Sequence, residues 1–303
     1  MGYKTTTQTG KVVVGHRDTT KRRSQISLLA RRFARNRLAL TGLIIFIILV
    51  LGAIFADFIV DYEQDAITQN VQIRNLPPCR EHIFGTDRFG RDVFARILYG
   101  ARISLSVGVV TIISSLIVGS IIGAVAAYYG GHIDNILMRI MDIFLAIPHT
   151  LMAICIVAAL GVGTIKMLIA LSIAQVPQFA RIVRSAILTV KGQEFVEAAR
   201  ACGTSDRRII IRHILPNAIG PIIVQATLSV AHTIISITML SFLGIGVQPP
   251  TPEWGSMMSD AKDQMRHYPY LVYIPGFFIA LTSLSLNLIG DGLRDALDPR
   301  LKN

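Results

Sequence analysis

Charged residues are scarce in this 303-residue chain. They make up 16% of it, whereas a soluble domain of this length averages about 25%. Leu38 to Ala56 is a run of 19 residues without a charge, close to the ~20 residues that cross a ~30 Å hydrocarbon layer as a helix. The run begins too far from the N-terminus, and is too long, for a cleaved signal peptide. The sequence therefore predicts an integral membrane protein.

Cysteines are few, and the common catalytic motifs are missing. Cys79, Cys155 and Cys202 form no CxxC pair and show no metal spacing, so neither a disulfide framework nor a zinc site is implied. No GxxxxGK[ST] phosphate loop occurs, and neither HExxH nor GxSxG is present. The chain thus offers no nucleotide site of its own and no membrane-protease motif.

Basic residues are concentrated before the first apolar run. Residues 1–37 hold ten Lys or Arg against one acid, Asp18. The net charge of +11 is compatible with nucleic-acid binding, but a basic cluster directly before a span keeps the N-terminus in the cytoplasm and contacts anionic lipid. We therefore expect membrane lipid, and not nucleic acid, as a partner. The basic residues nearest the span are Lys21, Arg22, Arg23, Arg31, Arg32, Arg35 and Arg37.

Six apolar stretches are candidate membrane spans. They are 38–58, 103–128, 143–162, 167–188, 219–243 and 270–291. The fourth is the weakest, because Gln175, Pro177 and Gln178 interrupt it. Six crossings from a cytoplasmic N-terminus return the basic C-terminal tail, with Arg300 and Lys302, to the cytoplasm.

The charges of the loops agree with this topology. The predicted outer segment 61–100 carries five Lys or Arg against six acids, whereas the predicted cytoplasmic segment 189–218 is rich in Arg. We predict an all-α membrane protein in three parts. These are a basic cytoplasmic segment (1–37), a first span with an extracytoplasmic loop (38–102), and a core of five spans (103–303).

Three local patterns give further expectations for the outer loops and the second span. Residues 85–102 have apolar side chains at helical spacing, beginning with Phe89, and predict an amphipathic helix that leads into the second span. The proline-rich loop 246–255 holds the only tryptophan, Trp254, and is expected to brace the outer face at the membrane interface. Small residues at intervals of four, from Ser115 to Ala127, predict close approach of another helix.

The fifth span carries a polar stripe. Its members are Gln225, Ser229, His232 and Ser236. Their spacings of four, three and four place them on one helix face, and polar groups at membrane depth usually face a bundle interior or a wet cavity. Two interpretations stay open, namely the lining of a pathway through the bundle and hydrogen bonding between helices or subunits. No second His or carboxylate at helical spacing supports His232 as a metal ligand.

Residues 194–217, EFVEAARACGTSDRRIIIRHILPN, form a charged stretch between two spans. An apolar stripe running from Phe195 to Cys202 predicts a short helix, and Gly203 can adopt the left-handed conformation that ends it. Residues 204–206 offer capping oxygens for a second helix, which Pro216 is expected to end. The result is a helix–turn–helix that suits docking into another protein's cleft. The alternative is a cytoplasmic loop that folds back on the membrane.

This stretch resembles the EAA loop of ABC-importer membrane subunits, in which EAA is followed by three residues, Gly, nine residues and Ile-x-Leu-Pro. The matching positions are Glu197, Ala198, Ala199, Gly203, Leu215 and Pro216. His213 departs from the general pattern, and the form HILPN resembles the peptide-importer branch. The segments RRFARNRLALTGLIIF, FGTDRFGRDVFARILYGARISL and SFLGIGVQPPTPEWG resemble the second permease subunit of dipeptide and oligopeptide importers, so that the resemblance covers residues 25–300.

The resemblance implies a type I ABC importer permease fold with cytoplasmic coupling helices, in a bacterial inner membrane. It implies a heterodimer with a related permease subunit, two ATPase subunits that dock on the EAA loops, and an extracytoplasmic substrate-binding protein. ATP and Mg²⁺ would be bound by the ATPases, so this chain is expected to be no enzyme and to hold no cofactor. Glu197 and Gly203 would be the main coupling positions.

Short peptides are favoured by the resemblance, and nickel complexes or glutathione are the alternatives within the same family. A secondary transporter usually needs carboxylates at mid-membrane, and none lies centrally in a predicted span. A membrane receptor or scaffold that uses 194–217 to bind a partner is the remaining rival.

Overall fold

The computed structural model describes residues 25–297, and these residues are helical apart from connecting segments and one isolated β-bridge between Thr86 and Asp92. The α-helices are α1 (Gln25–Arg35), α2 (Arg37–Ile54), α3 (Ala56–Ile59), α4 (Val93–Tyr129), α5 (Gly131–Leu145), α6 (His149–Leu160), α7 (Thr164–Lys191), α8 (Glu194–Ala201), α9 (Asp206–Arg208), α10 (Leu215–Phe242), α11 (Trp254–Ala261) and α12 (Tyr270–Leu297). The basic residues Lys21, Arg22, Arg23, Arg300 and Lys302 lie outside the described part.

Five helices of the described part are long and apolar enough to cross a membrane, and a sixth span results if α5 and α6 count as one. The five are α2, α4, α7, α12 and the continuous helix Asp206–Phe242, which contains α9 and α10. The predicted all-α membrane architecture is therefore confirmed. We call the end of the bundle that carries residues 194–217 the EAA end, and the end that carries the loops 61–92 and 244–269 the opposite end.

The predicted third span, 143–162, is wrong as a single straight helix. α5 and α6 meet at an angle of 85°. The break lies at residues 146–148, where Pro148 adopts an extended conformation with ψ of 129°. Proline has no N–H to donate and disfavours helical geometry at the residue before it. At 1.5 Å per residue, α6 is only about 18 Å long and does not cross the hydrocarbon layer alone.

The predicted fourth span is more regular than its sequence suggests. α7 runs through Pro177 without a break, and Pro177 is buried within the bundle. Gln175 is also buried, and its side-chain amide donates a hydrogen bond to Thr233 Oγ1 of α10 at 2.5 Å. Neighbouring helices thus satisfy the polar groups that would otherwise interrupt a span facing lipid.

The small residues of α4 bring it very close to α7. A Cβ atom added at Gly123 would lie 2.4 Å from the carbonyl oxygen of Ala180, and one at Gly119 would lie 2.6 Å from Phe179 Cβ. Ser115 Oγ donates to the carbonyl oxygen of Ser172 at 3.0 Å. The close approach that the spacing predicts is confirmed, and α7 is the helix that makes it.

At the opposite end, the proline-rich loop packs against the start of α4. Trp254 is completely buried, and its indole N–H donates to the carbonyl oxygen of Ile97 at 3.1 Å. The expected bracing is present, but the expected position of Trp254 at an interface is wrong. Its ring lies in the core because Gly100 leaves room for it, a Cβ there being 3.1 Å from the indole.

The predicted amphipathic helix over 85–102 begins only at Val93. Phe89 lies in a turn instead, closed by the bridge between Thr86 and Asp92. Asp92 caps the helix, since its Oδ1 accepts a hydrogen bond from Ala95 N at 2.9 Å. The turn also contains Gly90 at φ of +76°. A local turn with its own cap therefore overrides the helical spacing of the apolar residues.

Buried charges fasten the loop 61–92 to the bundle. Arg91 and Arg96 are each 2% exposed. Arg91 pairs with Asp87 at 2.6 Å and with Asp260 of α11 at 3.2 Å. Arg96 donates to the carbonyl oxygen of Ala66 at 2.8 Å. Because burial leaves these charges no water, their partners within the protein have to satisfy them.

Glu253 forms a second set of buried polar contacts at this end, between α11 and α4. It is 0% exposed, and its carboxylate accepts hydrogen bonds from Ser256 N at 2.9 Å and from Ser104 Oγ of α4 at 3.2 Å. Burial raises the pKa of this carboxyl. Glu253 thereby caps α11 and ties it to α4.

Candidate functional site

We define the EAA segment as residues 194–217; its first arm is α8. Val196 is 1% exposed and packs against the spans, and Ala199 is partly buried beside it. Of the predicted apolar stripe, Ala199 lies on this packing side, whereas Phe195, Ala198 and Cys202 are exposed. An eight-residue helix needs only a narrow i, i+3 contact to hold it, and Val196 and Ala199 provide that contact.

The outward face of the first arm consists of small and charged side chains together with Phe195, which is 38% exposed. Glu197 and Ala198 are exposed, as are Glu194 and Ala201. Ala198 faces outward, whereas Ala199 of the same EAA motif faces the spans. The face that is free to meet a partner therefore contains Glu197 and Ala198.

Gly203 ends the first arm as predicted. Its φ is +72°, in the left-handed region that glycine adopts without strain. The N–H groups of Gly203 and Thr204 donate to the carbonyl oxygens of Arg200 and Ala199 at 3.0 and 3.1 Å. No heavy atom lies within 4 Å of a Cβ placed at this position. The turn thus requires glycine for its backbone conformation and not for space.

The predicted caps of the second arm do not form. Ser205 occupies the N-cap position of α9 but makes no capping hydrogen bond through its side chain. Asp206 instead accepts a hydrogen bond from the hydroxyl of Tyr128, at the end of α4, at 2.5 Å. A contact with a distant helix takes the place of local capping.

Pro216 does not end the second arm, contrary to the prediction. α9 leads into a π-helical turn, Ile209–Ile214, and then into α10. Leu215 N donates to the carbonyl oxygen of Ile210 in this wider turn. Pro216 follows this π-helical turn directly, in the first turn of α10. The second arm is therefore a direct extension of the fifth span.

A hydrophobic cluster fixes both arms to the spans. Leu215 packs at its edge, whereas Pro216 is exposed. The buried members from the EAA segment are Val196, Ile209 and Ile214, and those from the spans are Ala124, Ala127, Tyr128, Val183, Ala186, Ile187, Val190, Ala218 and Ile222. Of the six motif positions, Leu215 and Ala199 thus contribute to attachment, and Glu197 and Ala198 to the free face.

The polar stripe of α10 is only partly assembled. Gln225 Nε2 donates to Ser229 Oγ at 3.2 Å, and Ser236 Oγ donates to the carbonyl oxygen of His232 at 3.0 Å. Both serines are buried, and Gln225 is half-buried. His232 is exposed on the surface of this chain. The structure therefore joins the four residues as two pairs within one helix, not as one cluster.

His149 is the residue of this region that the sequence analysis missed. It begins α6, directly after the break at Pro148, and its Nε2 lies 3.2 Å from Ser236 Oγ. The Pro–His pair inside an apolar run was the available signal. Within residues 25–297, no group of three or more His, Cys, Asp or Glu side chains is arranged to hold a metal ion.

Comparison with known proteins places the chain in a family. Residues 97–303 match the family described as the binding-protein-dependent transport system inner membrane component. Residues 24–78 match the N-terminal membrane domain of oligopeptide transport permease C. The chain is 48% identical over 273 residues to the dipeptide transport system permease protein DppC of Alkalihalophilus pseudofirmus, covering 90% of this chain and 89% of that protein.

One further relative and one solved structure are also similar to this chain. The glutathione transport system permease protein GsiD of Escherichia coli is 44% identical over 272 residues, covering 90% of this chain and 89% of that protein. A structure of the MetNI methionine ABC transporter in an inward-facing conformation has a TM-score of 0.53 at 19% identity, covering 66% of this chain and 95% of that one. The chain therefore belongs to the family of binding-protein-dependent transport system inner membrane components and has the type I ABC importer permease fold.

Proposed function

We propose that this chain is one of two permease subunits of an ATP-driven importer of short peptides, and that its EAA segment receives an ATPase subunit. The observation that carries the proposal is the two-sided first arm. Val196 holds α8 on the spans, while Glu197 and Ala198 stay exposed on the other side. An exposed face of small and charged side chains beside Phe195, on a helix that Val196 holds against the spans, suits insertion into a cleft of a partner.

The continuity of the second arm supports a coupling role. A partner that displaces the EAA segment acts on α10 without an intervening flexible loop, because the helix runs unbroken from Asp206 to Phe242. ATP and Mg²⁺ are then bound by the ATPase, and this chain contributes movement instead of chemistry.

The proposed orientation places the EAA end in the cytoplasm. Exposed arginines are frequent there, which agrees with the bias of basic residues towards the cytoplasmic side. They include Arg200, Arg207, Arg208 and Arg212. The N- and C-termini lie on the same side in this topology. A substrate-binding protein docks at the opposite end, and the related permease subunit completes the pathway.

Short peptides are the proposed cargo because one relative is named a dipeptide permease. Glutathione is the second candidate, because GsiD is similarly related and is named for it. Nickel complexes are the third candidate. The choice among them rests largely with the binding protein.

The first experiment is purification of the tagged chain in detergent, with mass spectrometry of what accompanies it. Gly203→Val is the test variant, since a β-branched residue is strained at φ of +72°. Gly192→Val is the matched control, because Gly192 precedes the same arm at φ of −88° and a Cβ there also meets nothing within 4 Å.

We expect the wild-type chain and Gly192→Val to recover two ATPases and a second permease. Gly203→Val should retain the permease and lose most of the ATPases. Purification of the chain alone from wild-type membranes, with normal expression, would contradict the importer assignment. Full ATPase recovery with Gly203→Val would contradict docking at the EAA segment.

We also propose that His232 lines the transport pathway. Its side chain is exposed one helical turn before the buried Ser236, and His149 Nε2 of the bent span lies 3.2 Å from Ser236 Oγ. His232→Phe is expected to lower uptake of radiolabelled dialanine into vesicles about fivefold, the effect of about one lost hydrogen bond to the substrate. Ile235→Phe, which alters an exposed apolar position on the same helix, is the control. Unchanged uptake with His232→Phe would remove this residue from the pathway.

A further inference from the structure

Tyr128 lies where the second span meets the EAA segment. It occupies the last turn of α4 and is 6% exposed. Its hydroxyl donates a hydrogen bond to Asp206 Oδ1, 2.5 Å away, at the start of the second arm. Asp206 itself is exposed. Hydrogen bonds to a carboxylate are shorter and stronger than those between neutral groups, so this contact links two elements 78 residues apart in the chain.

The same ring also meets cations from the two elements that flank the link between α7 and α8. The guanidinium carbon of Arg200, in the first arm, lies 5.7 Å from the ring centroid. Lys191 Nζ, at the end of α7, lies 5.9 Å from it and donates to the carbonyl oxygen of Ala127 at 3.0 Å. Cations within about 6 Å of an aromatic face are attracted to it. One side chain therefore contacts both arms of the EAA segment and the span that precedes it.

We infer that Tyr128 is a positioning residue that holds the two arms at a fixed angle to α4, so that displacement of the EAA segment moves the second span as well as the fifth. The inference rests on the proposed function of the EAA segment. The fifth span is already joined to the second arm by an unbroken helix, whereas α4 has no such chain connection. The hydroxyl of Tyr128 supplies a polar link in its place.

A purely structural role predicts a different response to mutation. The ring of Tyr128 belongs to the hydrophobic cluster under the EAA segment, and Tyr128→Phe keeps this ring while deleting the bond to Asp206. Tyr129→Phe is the matched control. Tyr129 is the adjacent residue, is 53% exposed, and its hydroxyl has no hydrogen-bond partner within residues 25–297. A change seen only with Tyr128→Phe therefore reports the hydroxyl contact.

The test uses the whole transporter in lipid nanodiscs. The measured quantity is the ratio of ATP hydrolysis with the binding protein to hydrolysis without it. For Tyr128→Phe we expect this stimulation to fall about tenfold, the factor typical of one lost hydrogen bond to a charged group. ATPase recovery should stay at the wild-type value, and the melting temperature should fall by no more than about 4 °C, the shift that the loss of one such bond produces. Asp206→Ala should give the same loss, and the double variant no further loss, because both changes delete one contact.

The outcomes separate this inference from the proposed function. If the wild-type chain recovers no ATPases, the proposed function fails. If the wild-type complex assembles and Tyr128→Phe keeps its stimulation, the positioning role alone is refuted. Equal losses with Tyr129→Phe, additive losses in the double variant, or loss of the ATPases from Tyr128→Phe would also overturn it.

Discussion

Replacing Ala198 by tryptophan is expected to reduce ATPase binding at least about 100-fold, the size of effect found at central interface positions. Ala198 is exposed on the side of α8 that faces away from the spans. An indole there would stand between the first arm and any cleft that receives it. Because Ala198 packs against nothing in this chain's core, the melting temperature should not change. Titration of the purified ATPase onto the permease pair measures the loss.

Two further substitutions make this prediction specific. Ala198→Ser keeps the small volume and should bind the ATPase as the wild type does. Ala199→Trp changes the neighbouring alanine, which is partly buried on the spans, and should lower the melting temperature by overpacking the cluster. If Ala198→Trp bound the ATPase normally, the free face of α8 would not be the docking surface.

Introducing a valine at Gly123 is expected to destabilise the protein by about 3 kcal/mol, the upper part of the usual range for overpacking. Even the first carbon of the new side chain would lie 2.4 Å from the carbonyl oxygen of Ala180. Backbone cannot move aside as the end of a flexible side chain does, so α4 and α7 have to separate. Thermal unfolding of the variant in nanodiscs measures the effect.

Gly276→Val in α12 is the control for this effect, because a Cβ there comes no nearer than 4.0 Å to another atom. It should unfold at nearly the wild-type temperature. Gly119→Val, whose Cβ would meet Phe179 Cβ at 2.6 Å, should behave like Gly123→Val. The double variant should then cost less than the sum, since one separation of α4 from α7 relieves both clashes. Equal stability of Gly123→Val and wild type would contradict the observed helix approach.

Much of the fold is predictable because a membrane-spanning helix requires a long apolar run, which is visible in the sequence. The close contact of α4 with α7 is likewise visible in the spacing of Gly119 and Gly123. The bend between α5 and α6 was not predicted, because the number of apolar residues in 143–162 indicates the length of a span but not whether its helix is straight. The bend occurs at Pro148, but α7 runs through Pro177 without a break. Whether a proline bends a span depends on its neighbours in the bundle, which the local sequence does not specify.

Some features of the EAA segment were also predictable from the sequence, and others were not. Gly203 is predictable because the backbone conformation it permits is a local property. Ala198 is exposed and Ala199 is partly buried because α8 packs on the spans through the face that contains Val196. Which face of α8 packs inward depends on the shape of the spans, and the local sequence does not specify it. Asp206 looked like a local cap, yet its partner is Tyr128, in a distant part of the chain. Contacts of that kind leave no periodic trace in the sequence.

The length of α4 has a mechanical consequence. Its 37 residues form a rod of about 55 Å at 1.5 Å per residue, joined to Trp254 near one end and to Asp206 near the other. The tight contacts with α7 extend from Ser115 to Gly123, and their centre, at Gly119, lies about 39 Å from the first end and about 15 Å from the second. If α4 pivots as a rigid rod about Gly119, a shift of about 1 Å at the EAA end moves the opposite end of the helix by about 2.6 Å, the ratio of the two distances. The helix is then a lever with unequal arms, in which a small displacement at the EAA end gives a larger displacement at the opposite end.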